Sequence, residues 1–541
     1  MGENRNCQNS KEVLIDIWKK MSSVVKTAFI TSIVCGILTH LFIITNKLTN
    51  WDDLGVGAYE GGGKYLGRFL EPYIERMFSK WGAPALQGLS SIFFLAIAVC
   101  VMVCLLEIKT NSSAFLISAI VTTFPSVTAN LLYGFMSPTF EIAILLILLG
   151  VFWAYTFWKK YEKEAKVSAL GIGVVLGTFF IMLSMMIYQA YFSLAVTFFL
   201  LIIAFRLIGA DKKKADLMTN FKLGIYFLVT LGLGMGVYFI LLGLSGVTLA
   251  NYKGMGEIGK VSITDLIYAF VRAYHRFAQY FLTAMHGYLE GFPTVMNVLI
   301  SVLTLVFTAF TITMERNGEK ILSNIGRVLS ILFILILLPL GMSLTYLMAP
   351  TVTHASTVMT FAYVCMYLYF IKISEMLILE IKSVKFARFI SYILAVCILL
   401  MSFAYFKVDN GAYLRTQTAL NRSVNFYNRI LSRLEIEGYN YDEKLILLGN
   451  YDTYKIPIAS DMRDGERYRD IEGLALENGF LSEGVGLSVL RVYMGIRPES
   501  VTAEERENIL SSTEFKEMSC YPNNGCIKKI NGIWVVRMGQ Y

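Results

Sequence analysis

Apolar runs of membrane-spanning length recur along almost the whole chain, and this recurrence limits what it can fold into. A helix rising ~1.5 Å per residue needs ~20 apolar residues to cross a ~30 Å hydrocarbon core. About eleven runs meet that length, near residues 27–45, 85–106, 113–133, 138–158, 168–187, 190–209, 223–246, 294–313, 328–348, 355–373 and 387–406. The third is the most interrupted, by Pro125 and several Ser and Thr. It is expected to pack against protein, where neighbours can satisfy the backbone groups a proline frees. Only 16% of the 541 residues are charged, against about 25% in soluble domains, which excludes a soluble enzyme. Disorder, collagen and a small disulfide scaffold are excluded on the same ground. The expected fold class is mainly α, a polytopic membrane protein.

The formal charge of +8 does not point to nucleic acid, because the basic residues lie between apolar runs instead of clustering on a soluble face. Lys11, Lys19, Lys20 and Lys26 precede the first run, and alternate connections carry Lys109, Lys159–Lys166, Lys212–Lys222, Arg316–Arg327 and Lys372–Arg388. The short turns 134–137, 188–191 and 349–354 have neither Lys nor Arg. Basic residues favour the cytoplasmic side. The N-terminus is therefore expected inside and, after an odd number of spans, the C-terminus outside. Loops 46–84 and 247–293 and the tail 407–541 then lie on the outer face. The first run starts late and is too long for a signal h-region, so no cleavable signal is expected.

Three regions follow: a cytoplasmic or interfacial segment 1–26, a transmembrane body 27–406, and an extracytoplasmic α/β domain 407–541. Residues 11–26 read as an amphipathic interfacial helix or a solvated leader. In the tail, 417–436 reads as helix, and 444–450, 487–494 and the two halves of CIKKI–NG–IWVVRM read as strands. Asn531-Gly532 is a strong two-residue hairpin signal. Cys520 and Cys526 are the only cysteines expected outside, and their spacing around Pro522 suits a small disulfide loop in an oxidising compartment.

The residues that can carry chemistry fall on the expected outer face. Asp52 and Asp53 follow the first run within a few residues, where a carboxylate can accept the proton of an incoming hydroxyl. As plain structure they would be solvated or would cap a helix. Arg68, in GRFL before Pro72, suits a phosphate or a partner carboxylate, or snorkels to lipid headgroups. Arg272, His275 and Arg276 share one face of an interfacial helix, and either hold a phosphate or line up against headgroups. Tyr188, Gln189 and Tyr191 fill the turn YQAY. There Gln189 either hydrogen-bonds a sugar or caps the turn. His354, in another short turn, is open to the same two readings. Glu141, near the outer end of the fourth run, needs a partner if buried. No HExxH, Walker A, GxSxG or metal-ligand spacing is present in the soluble parts.

The Asp pair, the downstream Gly67-Arg68, the YQAY turn and the C-terminal MSCYPNNGCIKKINGIWVV together resemble the GtrII-type glucosyltransferases. These are bacterial and phage membrane enzymes of the GT-C class that modify surface polysaccharide. The family often has an Arg shortly after the Asp pair, where Val56 stands here, and an aromatic or Pro after GR, here Phe69. The resemblance implies a plasma-membrane enzyme that takes a sugar from polyprenyl phosphate and passes it to a hydroxyl of a surface glycan or its lipid-linked precursor. It implies one inverting displacement, with Asp52 or Asp53 as base and Arg68 or the Arg272/His275/Arg276 face on the departing phosphate. Tyr188, Gln189, Tyr191, Glu141 and His354 are the candidate sugar and acceptor contacts. No cofactor is expected to be required; a divalent metal at Asp52 and Asp53 is chemically open but not expected. Membrane lipids are the other expected partners. The competing readings are a flippase or transporter of a lipid-linked sugar, which should place ionisable groups deep in the spans, and a polysaccharide polymerase or ligase.

Overall fold

The computed structural model describes residues 18–55, 62–78, 83–209, 211, 213–250, 262–316, 319–350, 352–452 and 467–540. Residues 11–17 of the 11–26 segment, together with Cys7, Val56, Gly57 and Gly61, lie outside the described residues. Among those described, ten helices are long and apolar enough to cross a membrane, and a bent pair makes an eleventh. The chain is a polytopic, mainly α membrane protein.

The first span is α1 (Ser23–Thr45), followed by two short helices, α2 (Trp51–Gly55) and α3 (Glu71–Phe78), in the first long loop. Spans α4 (Pro84–Leu105), the bent pair α5 (Asn111–Thr122) and α6 (Pro125–Leu132), α7 (Ser137–Glu164), α8 (Val167–Met185), α9 (Phe192–Ile208) and α10 (Leu217–Leu244) come next. The amphipathic α11 (Ile263–Ala278) precedes the spans α12 (Phe292–Thr313), α13 (Ile325–Met342), α14 (Cys365–Glu380) and α15 (Val384–Ile436). Helix α11 leaves Ile263, Ile267, Tyr268 and Val271 exposed and buries Ala269 and Ala273, the pattern of a helix lying against lipid.

The break in the third span falls at the expected proline. Pro125 has no N–H, and the two halves meet at 44°. The freed Thr122 carbonyl accepts a hydrogen bond from His40 Nε2 (2.8 Å), which fixes the tautomer so that Nδ1 accepts from Tyr413 Oη (2.7 Å). On α6, Thr128 Oγ1 donates to Asp409 Oδ1 (2.6 Å) and Ser126 Oγ donates to the Thr357 carbonyl (2.7 Å). Every residue of α6 is buried. An interrupted helix survives at membrane depth when protein supplies the missing partners.

Helices α7, α8 and α10 approach closely through glycines. A Cβ on Gly177 would stand 2.6 Å from Thr230 and 3.2 Å from Ala154 Cβ, and one on Gly150 would stand 3.1 Å from the Gly177 carbonyl oxygen. Small residues let backbones of spanning helices come together where dispersion is the main attraction. Tyr226 Oη donates to the Ala154 carbonyl (3.1 Å) across the same contact.

Hydropathy drops after Phe406, yet the helix does not end there. At 53 residues α15 is about 80 Å long, so it crosses and then stands well clear of the hydrocarbon. Its far end forms one face of an α/β unit. Strand β1 (Leu445–Leu448) pairs in parallel with β3 (Ile533–Arg537), which pairs antiparallel with β2 (Ile527–Ile530) through the Asn531-Gly532 turn. Leu445, Leu447, Trp534 and Val536 face Phe426, Tyr427 and Ile430 of α15. Ile446, Leu448, Ile533 and Val535 face Ile509 and Phe515 on the other side. The strand expected at 487–494 is instead helical, part of α16 (Glu483–Met494). Its valines imitate a strand, but its buried residues, Gly486, Val489 and Leu490, follow the helical period. Cys520 and Cys526 are free thiols, not the expected disulfide. Arg433 Nη1 holds the turn between them, donating to the Pro522 carbonyl (2.7 Å) and to Cys526 Sγ (3.8 Å).

Gly177→Leu is expected to lower stability by about 1–3 kcal/mol through overpacking, read as a lower thermal midpoint in detergent. Gly171→Leu, at a position with open space around it, should leave the midpoint nearly unchanged.

Candidate active site

The first long loop is fastened at both ends. Asn50 and Asp53 form a reciprocal box: Asn50 N–H donates to Asp53 Oδ2 (3.0 Å), and Asp53 N–H donates to Asn50 Oδ1 (3.0 Å). Asn50 Nδ2 also donates to the Leu132 carbonyl (3.2 Å), and Phe135 N–H donates to Asp53 Oδ1 (3.0 Å). The box starts α2 and ties it to the turn after α6. From the tail, Arg491 Nη2 donates to the Leu54 carbonyl (2.7 Å), and Gly479 packs on Trp51. Desolvation pushes the Asp53 carboxyl up to about 7, against the downward pull of the Phe135 and Asn50 N–H groups. Asp53 is thus held by backbone, while its neighbour Asp52 lines a cavity.

The other end carries Arg68. Gly67 adopts φ +71°, and a Cβ there would come within 3.2 Å of Gln189 Nε2, so the turn needs glycine on both counts. Gln189 Nε2 donates to the Leu66 carbonyl (2.8 Å) and to Tyr238 Oη (2.9 Å), and Tyr238 Oη donates to the Gly67 carbonyl (3.2 Å). Leu70 N–H donates to the Met186 carbonyl (3.0 Å). These bonds place the Arg68 guanidinium over the Tyr188 ring, 4.6 Å from its centroid. Tyr188 in turn packs edge-on against Phe140 and beside Tyr191. Arg68 Nη1 lies 3.7 Å from Glu71 Oε2, and its buried Nε has no hydrogen-bond partner among the described residues.

Asp52, Arg68 and Tyr188 open onto one cavity of about 400 Å³. Its polar wall also holds Glu71, Glu75, Tyr133 and Glu472, and its apolar wall includes Pro72, Phe140 and Met359. Burial raises the Glu71 carboxyl, opposed by Arg68. Burial, with Glu71 beside it, pushes Glu75 up to about 7. The cavity thus combines one fixed guanidinium that has an unused donor with a carboxyl, Glu75, that exchanges its proton near neutrality. It can bind an anionic group at Arg68 and accept a proton nearby. Among the described residues no group of three or more His, Cys, Asp or Glu is placed to hold a metal ion.

The remaining candidates are placed elsewhere. Gln189 supports the Arg68 turn from behind. Tyr191 Oη donates to Asn130 Oδ1 (3.2 Å), and Asn130 Nδ2 donates to Glu141 Oε1 (2.9 Å), so Tyr191 and Glu141 join a fully buried network. Arg272 and Arg276 are turned to the 350–353 backbone. Arg272 Nη1 donates to the Pro350 and Val352 carbonyls (2.8 and 3.0 Å), and Arg276 Nη2 donates to that of Thr353 (2.8 Å). His275 is exposed. His354 lies beside His286, next to the cavity wall. Sequence reading missed Glu71 and Glu75, whose i, i+4 spacing on α3 marks one helix face. It also missed Tyr238 and Glu472, which no local pattern singles out.

The family described as glucosyl transferase GtrII matches residues 41–373, more than half of the chain. That stretch contains Asp52, Arg68, Tyr188 and the turns that fix them. No curated protein matches the sequence.

Gln189→Leu leaves the Leu66 carbonyl without its donor. Faster amide exchange across 62–70 is expected, with a stability loss of about 1–3 kcal/mol. Asp53 and Glu75 bind their protons more tightly folded than unfolded. Their contribution is therefore complete below pH ~4 and is withdrawn as pH rises through about 7. Asp53→Asn should flatten the fall in thermal midpoint between those limits.

Proposed function

We propose, starting from the fact that this chain belongs to the GtrII glucosyl transferase family, that it transfers a sugar, glucose first, from a polyprenyl-phosphate donor to a glycan hydroxyl. The coarser statement, a membrane glycosyltransferase using a sugar donor and a glycan acceptor, follows from the family and the spans. The donor and the chemistry are our reading.

One observation carries that reading: Asp52 and Arg68 open on the same cavity, partly walled by apolar side chains. A donor with a hydrocarbon tail brings its phosphate to such a place from the bilayer. Arg68, with Nε unpartnered, binds the phosphate and stabilises the charge that grows on it as the glycosidic C–O bond breaks. The acceptor oxygen attacks the anomeric carbon from the opposite side and gives its proton to Asp52. The bonding pair leaves with the phosphate oxygen, so the anomeric configuration inverts. Asp53 is a positioning residue, since its two oxygens serve backbone N–H groups. Burial raises the Glu71 carboxyl, which lessens its repulsion of a phosphate at Arg68. We place the site on the extracytoplasmic face of a bacterial plasma membrane, with the N-terminus inside, because the basic connections lie at the other end of the bundle.

Purified protein in lipid nanodiscs with polyprenyl-phosphate [14C]glucose and surface glycan provides the test. Asp52→Asn should reduce transfer by about 10²–10⁴-fold without shifting the thermal midpoint, and Arg68→Ala should raise the donor KM. Undiminished transfer by Asp52→Asn would refute the assignment of the base. Passage of the lipid across the bilayer with no new glycosidic bond would favour a flippase.

A further inference from the structure

Behind the Glu472 side of the cavity three segments converge, and none of them contributes to the Asp52–Arg68 chemistry. His286 is 2% exposed, and neither ring nitrogen has a hydrogen-bond partner among the described residues. Its ring stacks on Tyr288 (5.0 Å, 10°) and meets His354 edge-on (5.3 Å, 84°). Asp470 binds the three segments together: its Oδ2 accepts from Gly287 N–H (2.9 Å), and its carbonyl accepts from Thr357 Oγ1 (2.8 Å). The residues after Thr357, Val358 and Met359, line the cavity, as does Glu472. Arg276 Nε, within electrostatic reach of both histidines, is also buried without a partner among the described residues.

Buried polar atoms in folded proteins are nearly always paired. An imidazole with both nitrogens idle, in a loop anchored this firmly, marks a place that a ligand completes. Burial, together with His354 and Arg276 and against Asp470, pushes His286 down to about 4, so it is neutral at physiological pH. A neutral imidazole offers one donor and one acceptor, the complement of a hydroxyl. Asp470 and Glu472 together outweigh the single charge of Arg276, so the cluster is not set for an anion. His354 is exposed and leaves an approach to the cluster, whereas Arg68 stacks on Tyr188, which packs on Phe140 of the apolar wall.

We propose that His286 and His354 form the acceptor subsite, binding hydroxyls of a neutral sugar ring of the acceptor glycan. This rests on the transferase reading above and assigns the side of the cavity from which the acceptor enters. The test is ligand-observed saturation-transfer NMR on the full-length protein in nanodiscs, using methyl glycosides of glucose, galactose, rhamnose and N-acetylglucosamine, with glucose 6-phosphate as the anionic comparison. At least one neutral glycoside should bind the wild type. His286→Phe keeps the stacking on Tyr288 but loses both hydrogen bonds, and should weaken binding about tenfold. If His286→Phe does not fold, His354→Ala, at an exposed position, should show the same weakening to a smaller degree. In transfer assays either variant should raise the acceptor KM by a larger factor than it lowers kcat. The proposal fails if no neutral glycoside binds the wild type, if glucose 6-phosphate alone binds, or if the folded variants bind as the wild type does. Glycoside binding does not depend on the donor. Failure of wild-type transfer from polyprenyl phosphate would therefore overturn the proposed function without deciding this result.

Discussion

Among its described residues the first long loop has no hydrophobic core of its own, and its fixed geometry depends on hydrogen bonds to the spans. Asp53 binds the backbone of the turn after α6, while Gln189 and Tyr238 bind the carbonyls on either side of the Gly67 turn. Between these attachments, Asp52 and Arg68 are brought to one cavity. Each attachment uses a polar group at or near the end of a span, where water is scarce and an unmade hydrogen bond costs most. The same bonds that satisfy exposed backbone near the membrane therefore orient the site.

The broken third span shows the same logic inside the bundle. Its bend leaves a carbonyl to His40, and its polar face is taken up by Asp409 and the Thr357 carbonyl. Because α6 is buried on all sides, the turn that follows it is a rigid support for Asp53. The tail adds a second support: α16 reaches back to Leu54 and Lys47, and Gly473 brings its backbone against Leu132 and Tyr133. The C-terminal unit thus forms part of the loop's surroundings.

Charge in the cavity is unbalanced, with Asp52, Glu71, Glu75 and Glu472 against Arg68. Desolvation resolves part of the imbalance by favouring protonated carboxyls at Glu71 and Glu75. Arg68 keeps capacity for a ligand because its only described carboxylate contact is a long one, at 3.7 Å. The arginines on α11 differ: the Pro350, Val352 and Thr353 carbonyls and the Gln279 side chain take up their terminal donors. The spacing of Arg272, His275 and Arg276 placed them on one helix but could not show which surface that face would meet.

The spans, the break at Pro125, the hairpin at Asn531-Gly532 and the early Asp pair could be read from sequence, because each rests on local chemistry: apolar length, a missing N–H, a turn that needs positive φ, two adjacent carboxyls. Tertiary structure alone decided which aspartate is clamped and which faces the cavity, that Gln189 supports the Arg68 turn, that Glu472 joins the wall from the tail, and that 487–494 is a helix. These outcomes depend on contacts between segments far apart in the chain. Periodicity and motif spacing describe a segment's own geometry, and carry no information about which distant backbone group will complete its hydrogen bonds.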